Sequence, residues 1–309
     1  MPTFRDFVGY AGNPPKVEWP ANALLAVNIS VNYEEGAEWC IEYGDPSCEH
    51  RGIDPWGAAH RPAFETGGDP ADCRRDLYVE DVYEYGSSTG FWRLLGIFRE
   101  HEVKTTFLCC GKALEMNPEA AAAITREGHE AASHGYRWVP HWTLDRGQER
   151  EQLRRNVETI QRLTGQRPVG QRTPGTSLNT RQLLVEEGGF IYDSDTIADD
   201  LPYFTDVNGR RLLLIPYANA TDDQRYPHPR GFFEVDDFFR CLKEDFDQLY
   251  RESATTPKMM SVGLHLRLSG LPGPSNAVER FIQYAKSFPR VWFARRDEIA
   301  RVWLEQFGK

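Results

Sequence analysis

Side chains able to move protons recur in this chain just after short apolar runs. Glu34 and Glu35 follow residues 23–31, His134 follows 129–132 and Arg172 follows 168–171. Asp193 and Asp195 follow 190–192, and His265 follows 259–264. Brought together, such groups would perform acid–base hydrolysis, one taking a proton from water and another giving one to the leaving atom. Glu34 and Glu35 can divide labour as base and as ligand or orienter, because like charges held together push their pKa values apart. Glu-Glu-Gly is in general a solvated acidic turn; here the preceding strand and Gly36 favour a functional one.

His265 lies in Leu264-His265-Leu266-Arg267-Leu268, after which Gly270, Pro272 and Gly273 turn the chain. A histidine there can protonate a leaving nitrogen. Asp193 or Asp195 could orient it and raise its pKa, although Asp193-Ser194-Asp195 also reads as a cap or turn. His134 stands beside Gly135, where a ligand can approach the backbone. His129-Glu130 and His134 are not the helical zinc motif: the spacing is five, and the segment reads as a strand, in which those positions face opposite ways. Gly86-Ser87-Ser88-Thr89-Gly90 matches a nucleophile elbow, but Tyr83-Glu84-Tyr85 is a poor buried strand. Its hydroxyls are expected to cap the next helix. No phosphate-cradling glycine loop or dinucleotide fingerprint is present.

The elements that must position these residues alternate. Strands are expected at 23–31, 103–110, 129–132, 168–171, 190–192, 211–217, 259–264 and 290–293. Helices are expected at 87–101, 118–127, 146–164, 179–187, 235–251, 276–288 and 297–307, with Gly128, Gly165 and Gly188-Gly189 as stops and Asn179 as an N-cap. About eight strands with helices between them predict an α/β fold, an irregular (β/α) barrel whose strand exits share one face. Residues 1–309 read as one barrel domain, with an N-terminal arm marked by Asn13-Pro14-Pro15 and Trp19-Pro20. Residues 36–76 form a long Gly-, Pro- and Asp-rich segment, expected to be a lid or a subunit contact.

With 40% hydrophobic and 12% aromatic residues the chain has ample material for a core. A net charge of −10 and a pI near 5.4 argue against nucleic acid or an anionic membrane as partner. No apolar run reaches membrane-spanning length. The first residues lack a charged leader before an apolar stretch, so a cytoplasmic protein is expected. Six cysteines without a Cys-x-x-Cys pair are expected to be reduced.

Taken in order, these motifs resemble the polysaccharide deacetylase superfamily, whose fold is an irregular (β/α) barrel. Glu34-Glu35-Gly36 stands where that family has Asp-Asp-Gly, base first and metal ligand second, and His134 matches the first metal histidine. Arg172-Thr173-Pro174-Gly175 resembles the motif that braces the base. Asp193-Ser194-Asp195 resembles the one that tunes the acid, and Leu264-His265 the one that supplies it. The closer resemblance is to the cofactor-independent allantoinase branch and its cyclic-amide hydrolase relatives. It is carried by Arg5-Asp6-Phe7-Val8-Gly9-Tyr10, Asn32-Tyr33-Glu34-Glu35-Gly36, His134-Gly135-Tyr136-Arg137-Trp138, Asp199-Asp200-Leu201-Pro202 and Leu264-His265-Leu266-Arg267-Leu268.

Two departures from the metal-dependent relatives stand out: Trp138 replaces their second histidine, and glutamates replace their aspartates. The resemblance implies hydrolysis of a non-peptide C–N bond in a small, cyclic amide such as allantoin, another ureide or an imide. Glu34 or Glu35 would be the base, Arg172 would orient the carboxylates, and His265, with Asp195 or Asp193 behind it, would be the acid. His134 and Trp138 would shape the pocket floor, with Asp193 and Arg267 binding substrate. No cofactor is expected; the alternative is one divalent ion, zinc, on Glu35 and His134, with His141 as a third ligand. The alternative activity is metal-dependent N-deacetylation of amino-sugar polymers, which Trp39, Trp56, Trp138 and Trp142 would suit. A homotetramer is implied by the allantoinase branch.

Overall fold

The computed structural model describes residues 5–45, 48–49, 77–227 and 231–308. Most of the predicted lid segment, with Trp56 and Cys73, lies outside the described residues. β1 (Leu25–Tyr33) is buried along its whole length, as befits a Val- and Ile-rich strand paired on both sides. The chain continues through α1 (Leu77–Tyr85), α2 (Phe91–Glu100), β2 (Thr106–Cys109), α3 (Gly111–Met116) and α4 (Pro118–Arg126). Next come β3 (Glu130–Ser133), α5 (Arg146–Thr164), β4 (Gly170–Gln171), α6 (Thr180–Glu187) and β5 (Tyr192–Asp193). A hairpin, β6 (Tyr203–Val207) and β7 (Arg210–Leu214), leads to α7 (Val235–Glu252) and β8 (Lys258–His265). The short α8 (Leu266–Ser269), α9 (Pro272–Lys286), β9 (Val291–Phe293) and α10 (Arg296–Phe307) complete it.

The sheet runs β6-β7-β5-β4-β3-β2-β1-β8, with β9 against the start of β1, and among the described residues only the β6–β7 pair is antiparallel. Past β7, one parallel bridge joins Asp222 to Gly263 of β8, and the Gly263 N–H donates to the Thr221 carbonyl at 3.1 Å. The curl is thus a distorted (β/α) barrel, as the alternation predicts, with its last seam closed by this bridge and by two side-chain bonds, from the Thr221 hydroxyl to the Ser261 carbonyl at 2.6 Å and from the Ser261 hydroxyl to the Pro216 carbonyl at 2.9 Å. Its interior is plugged by a wholly buried arginine at the start of α10. Arg296 donates to the hydroxyls of Ser30, Ser194 and Ser261 and to the carbonyls of Ile215 and Pro216. Burial lowers its pKa to about 10. Five acceptors on four segments keep this cation compensated and tie β1, β8 and the ends of β5 and β7 to one point. On the N-terminal arm, buried Trp19 packs against Trp292 and Trp303, with ring centroids 5.8 and 6.2 Å apart.

Three local expectations are corrected. The Gly86–Gly90 stretch is a π-helical turn joining α1 to α2, and no hydroxyl in it caps a helix. Its glycines serve close approach instead: a Cβ on Gly86 would meet the Arg267 backbone nitrogen at 2.9 Å, and one on Gly90 the Leu266 carbonyl oxygen at 2.4 Å. Asn179 occupies the N-cap of α6 without a side-chain cap bond. The β6 strand was not expected, because its residues are mostly half-buried and its partner is a hairpin neighbour. Gly165 and Gly188 stop their helices with positive φ as expected.

Candidate active site

The strand exits converge as the alternation requires. A cavity of about 150 Å³ opens at the carboxyl ends of the strands, lined by Asn32, Glu34, His134, Trp138, Arg172, Thr173, Pro174, Asp222, Gln224 and His265. Glu34 lies one residue past β1, His134 one past β3 and Arg172 one past β4, while His265 is the last residue of β8.

Glu34 Oε1 stands between two imidazoles, 3.1 Å from His134 Nε2 and 3.6 Å from His265 Nε2. Its other oxygen accepts from Arg267 Nη1 at 2.8 Å. Burial works against charge on Glu34, but the Arg267 guanidinium and the His265 imidazole outweigh it. The carboxyl is held well below the usual range. Glu35 points elsewhere: its Oε1 accepts from the backbone N–H and Nη1 of Arg267, both at 3.2 Å, and its Oε2 from the Glu34 N–H at 3.0 Å. Burial, with only partial relief from Arg267, raises its pKa. The paired glutamates therefore titrate apart, and only Glu34 faces the cavity.

His265 is oriented by Asp223, not by Asp193 or Asp195. Asp223 Oδ1 accepts from His265 Nδ1 at 2.6 Å, and Oδ2 accepts from the backbone N–H groups of His265 and Ser269 at 2.8 and 3.2 Å. Burial opposes the imidazolium, yet Glu34 and Asp223 on either side push its pKa up to about 10. The Gln224 amide lies 3.0 Å from Nε2. Asp193 instead pairs with Arg181 at 3.1 Å. Asp195 lies 3.6 Å from Arg172 Nη1 and accepts from the Thr173 backbone and hydroxyl.

Two further roles change. Arg267 was expected to bind substrate and Arg172 to orient the carboxylates; the positions are reversed. Arg267 is wholly buried behind Glu34 and Glu35, with its guanidinium 4.8 and 5.0 Å from the Tyr83 and Trp138 rings. Arg172 lines the cavity, its guanidinium 3.7 Å above the Tyr217 ring. His134 and Trp138 both line the cavity. Asn32, Asp222, Asp223 and Gln224 were missed. The signal for the last three was Thr221-Asp222-Asp223-Gln224, a polar run four residues beyond an expected strand end at Tyr217.

A metal can be tested against these donors. His134 Nδ1 donates to the Arg172 carbonyl at 2.7 Å, which leaves Nε2 as the ring atom that faces Glu34 Oε1 at 3.1 Å. Glu34 Oε1 and His134 Nε2 are thus two convergent ligand atoms, but a tightly bound zinc needs three. Glu35, expected to be one of them, faces Arg267. His141, the expected third, pairs with Glu149 at 3.3 Å and does not line the cavity. Trp138 lines the same wall with an indole, which has no lone pair to give. Asp222, Asp223 and His265 bring three ligand atoms within 4.8 Å of one another, yet the 2.6 Å hydrogen bond fills the space between two of them. Among the described residues the donor set does not fit a tightly held metal.

Known proteins share this architecture. The polysaccharide deacetylase family model matches residues 75–188. The crystal structure of PuuE allantoinase superposes with a TM-score of 0.92 at 41% identity, covering 100% of both chains. A Pseudomonas aeruginosa PAO1 structure named for polysaccharide deacetylase gives 0.91 at 44% identity, covering 99% of each chain. Among named sequences, a Helicobacter pylori peptidoglycan deacetylase is 26% identical over 77% of this chain and 89% of its own. A Schizosaccharomyces pombe protein named for polysaccharide deacetylase is 34% identical over 97% of this chain and 96% of its own. With that reach and this barrel, the chain belongs to the polysaccharide deacetylase family of hydrolases.

Proposed function

We propose that the protein hydrolyses the C–N bond of a small cyclic amide of the ureide or imide type, without a metal. The observation that carries this reading is the cavity: about 150 Å³, polar, and centred on Glu34 and His265. Pockets for drug-sized ligands begin at about 300 Å³, so the space suits one small ring rather than several sugar units. The likeness to PuuE allantoinase over the whole chain supports the same reading.

In the first step water attacks the amide carbonyl and its proton passes to Glu34. His265, which carries a proton at neutral pH, gives it to the departing nitrogen as the C–N bond breaks. Glu34 then returns its proton to His265 across the 3.6 Å contact, restoring both groups. Asp223 keeps the acid in register and offsets its charge. Because Glu34 is held below the usual carboxylate range, it is a weak base, and substrates with activated carbonyls and good leaving nitrogens fit it better than plain acetamides.

The second reading is N-deacetylation of an amino-sugar polymer. It is favoured by the names of the S. pombe and H. pylori relatives and by Trp142, which is 61% exposed against Gly175 and available for stacking on a sugar. One screen separates the two: allantoin, hydantoin and succinimide against N-acetylglucosamine oligomers, with Glu34→Gln as the control. Turnover of a ring amide that is lost in the variant is expected. Turnover of the N-acetyl sugars alone would overturn the proposal.

A further inference from the structure

Asp222 and Asp223 are adjacent but face different ways. Asp223 is fully buried and committed to His265 and Ser269. Asp222 lines the cavity, with its side chain 13% exposed. Its Oδ1 accepts from the Gln224 N–H at 2.8 Å and lies 3.9 Å from His265 Nδ1. Its Oδ2 lies over Gly263: a Cβ on that residue would sit 2.4 Å from this oxygen and 2.6 Å from the Tyr217 hydroxyl. Any other residue at that point of β8 would force the carboxylate out. The site is built to hold an acceptor there.

Arg172 lies over the ring of the same tyrosine. Its Nη1 is 3.6 Å from Asp195, and its buried Nε has no hydrogen-bond acceptor among the described residues. The cavity therefore pairs a carboxylate acceptor with a guanidinium donor, both beside Tyr217 and neither needed for the proton transfers at Glu34 and His265. A buried acceptor left without a donor is costly, so such a wall discriminates by what the substrate lacks. An N-acetyl group offers a methyl beyond its carbonyl. A ureide, –NH–CO–NH–, offers a further N–H and a further carbonyl oxygen.

Resting on the ring-amide reading, we propose that Asp222 is the specificity residue of this site: it accepts the non-reacting N–H of a ureide whose carbonyl oxygen is held by Arg172. The enzyme then selects ureides over imides and N-acetyl amides at the binding wall rather than at the reacting atoms.

The test compares hydantoin with 1-methylhydantoin, which differ only in the distal N–H, on the wild type, Asp222→Asn and Asp222→Ala. Succinimide, which lacks that N–H, reports whether the acid–base machinery survives in each variant. In the wild type kcat/KM should favour hydantoin over its methyl derivative by at least about tenfold. Both variants should erase most of that preference through KM while keeping kcat on succinimide within a few-fold of wild type. A preference unchanged in both variants would overturn the role of Asp222 and leave ring-amide hydrolysis standing. A wild type inert toward every ring amide would overturn both. Loss of succinimide turnover in step with hydantoin turnover would move Asp222 into the catalytic machinery and refute a specificity role.

Discussion

Asp223 grips His265 twice, accepting from the imidazole Nδ1 at 2.6 Å with one oxygen and from the backbone N–H at 2.8 Å with the other. The ring is thereby fixed with Nε2 toward Glu34, so the acid, its orienter and the base form one line. Removing the middle member breaks proton delivery outright. His265→Ala should lower kcat by about a hundredfold or more with a smaller change in KM.

Asp223→Asn should act through the imidazole. It removes one of the two carboxylates that raise the His265 pKa, so that value should fall from about 10 toward its ordinary 6.5. An NMR titration of the His265 ring reads this directly, and turnover should fall with it. An unchanged titration midpoint would separate Asp223 from the acid.

Arg267 supports a pair of buried carboxylates. Arg267→Met leaves Glu34 and Glu35 without their shared cation and should cost about 3–5 kcal/mol of stability, as breaking buried pairs does. Urea denaturation at pH 7 measures it. A midpoint equal to that of the wild type would show that the two glutamates are compensated by other groups.

The pH profile follows from the two shifted groups. Glu34 must be ionised, and its depressed pKa keeps it so until the pH falls well below 4.5. His265 must be protonated, and it stays so until the pH rises through about 10. Activity should be flat across the neutral range, with no limb near 6.5. The stability linkage has matching signs. The contribution of His265 is fully present below pH 6.5 and lost as pH rises through about 10. That of Glu34 is present above 4.5 and lost as pH falls through its depressed folded value. A kcat/KM limb at pH 6–7 would contradict this assignment.

Metal independence is checked by dialysis against a chelator followed by elemental analysis and assay. The expected outcome is sub-stoichiometric zinc and undiminished turnover of a ring amide. Loss of activity on chelation, with recovery on adding zinc back, would make Glu34 and His134 the core of a metal site despite Trp138.

Much of the barrel was readable because β1 and β8 are mostly apolar and each runs up to a chemically distinct residue, Tyr33 before Glu34 and Leu264 before His265. The hairpin was missed although Asn208-Gly209, with φ of 53° and 80°, is a strong turn signal. The flanking residues Tyr203–Val207 are too exposed to form an alternating pattern. At the site, sequence order misled where a partner is distant in the chain. Asp223 lies 42 residues before His265, and although its polar run follows a strand end, only the fold separates it from Asp193 and Asp195. The exchange of roles between Arg172 and Arg267 has the same origin. Both follow strand ends, and only the pitch of the short α8 turns Arg267 inward behind the glutamates.

The lone backbone bridge between Asp222 and Gly263, in a seam otherwise closed by side chains, has a kinetic consequence. The ladder runs over eight residue pairs between β1 and β8 but comes down to one pair here, as it does between β3 and β4 and between β5 and β7, so this junction is among the places where the wall should open first. A compound bonded to Asp222 would add a contact to the residue that closes this junction and hold it shut. Occupancy would then be legible far from any chemistry, as slower hydrogen exchange at the amide of Gly263, and the cavity would be most rigid when it is full.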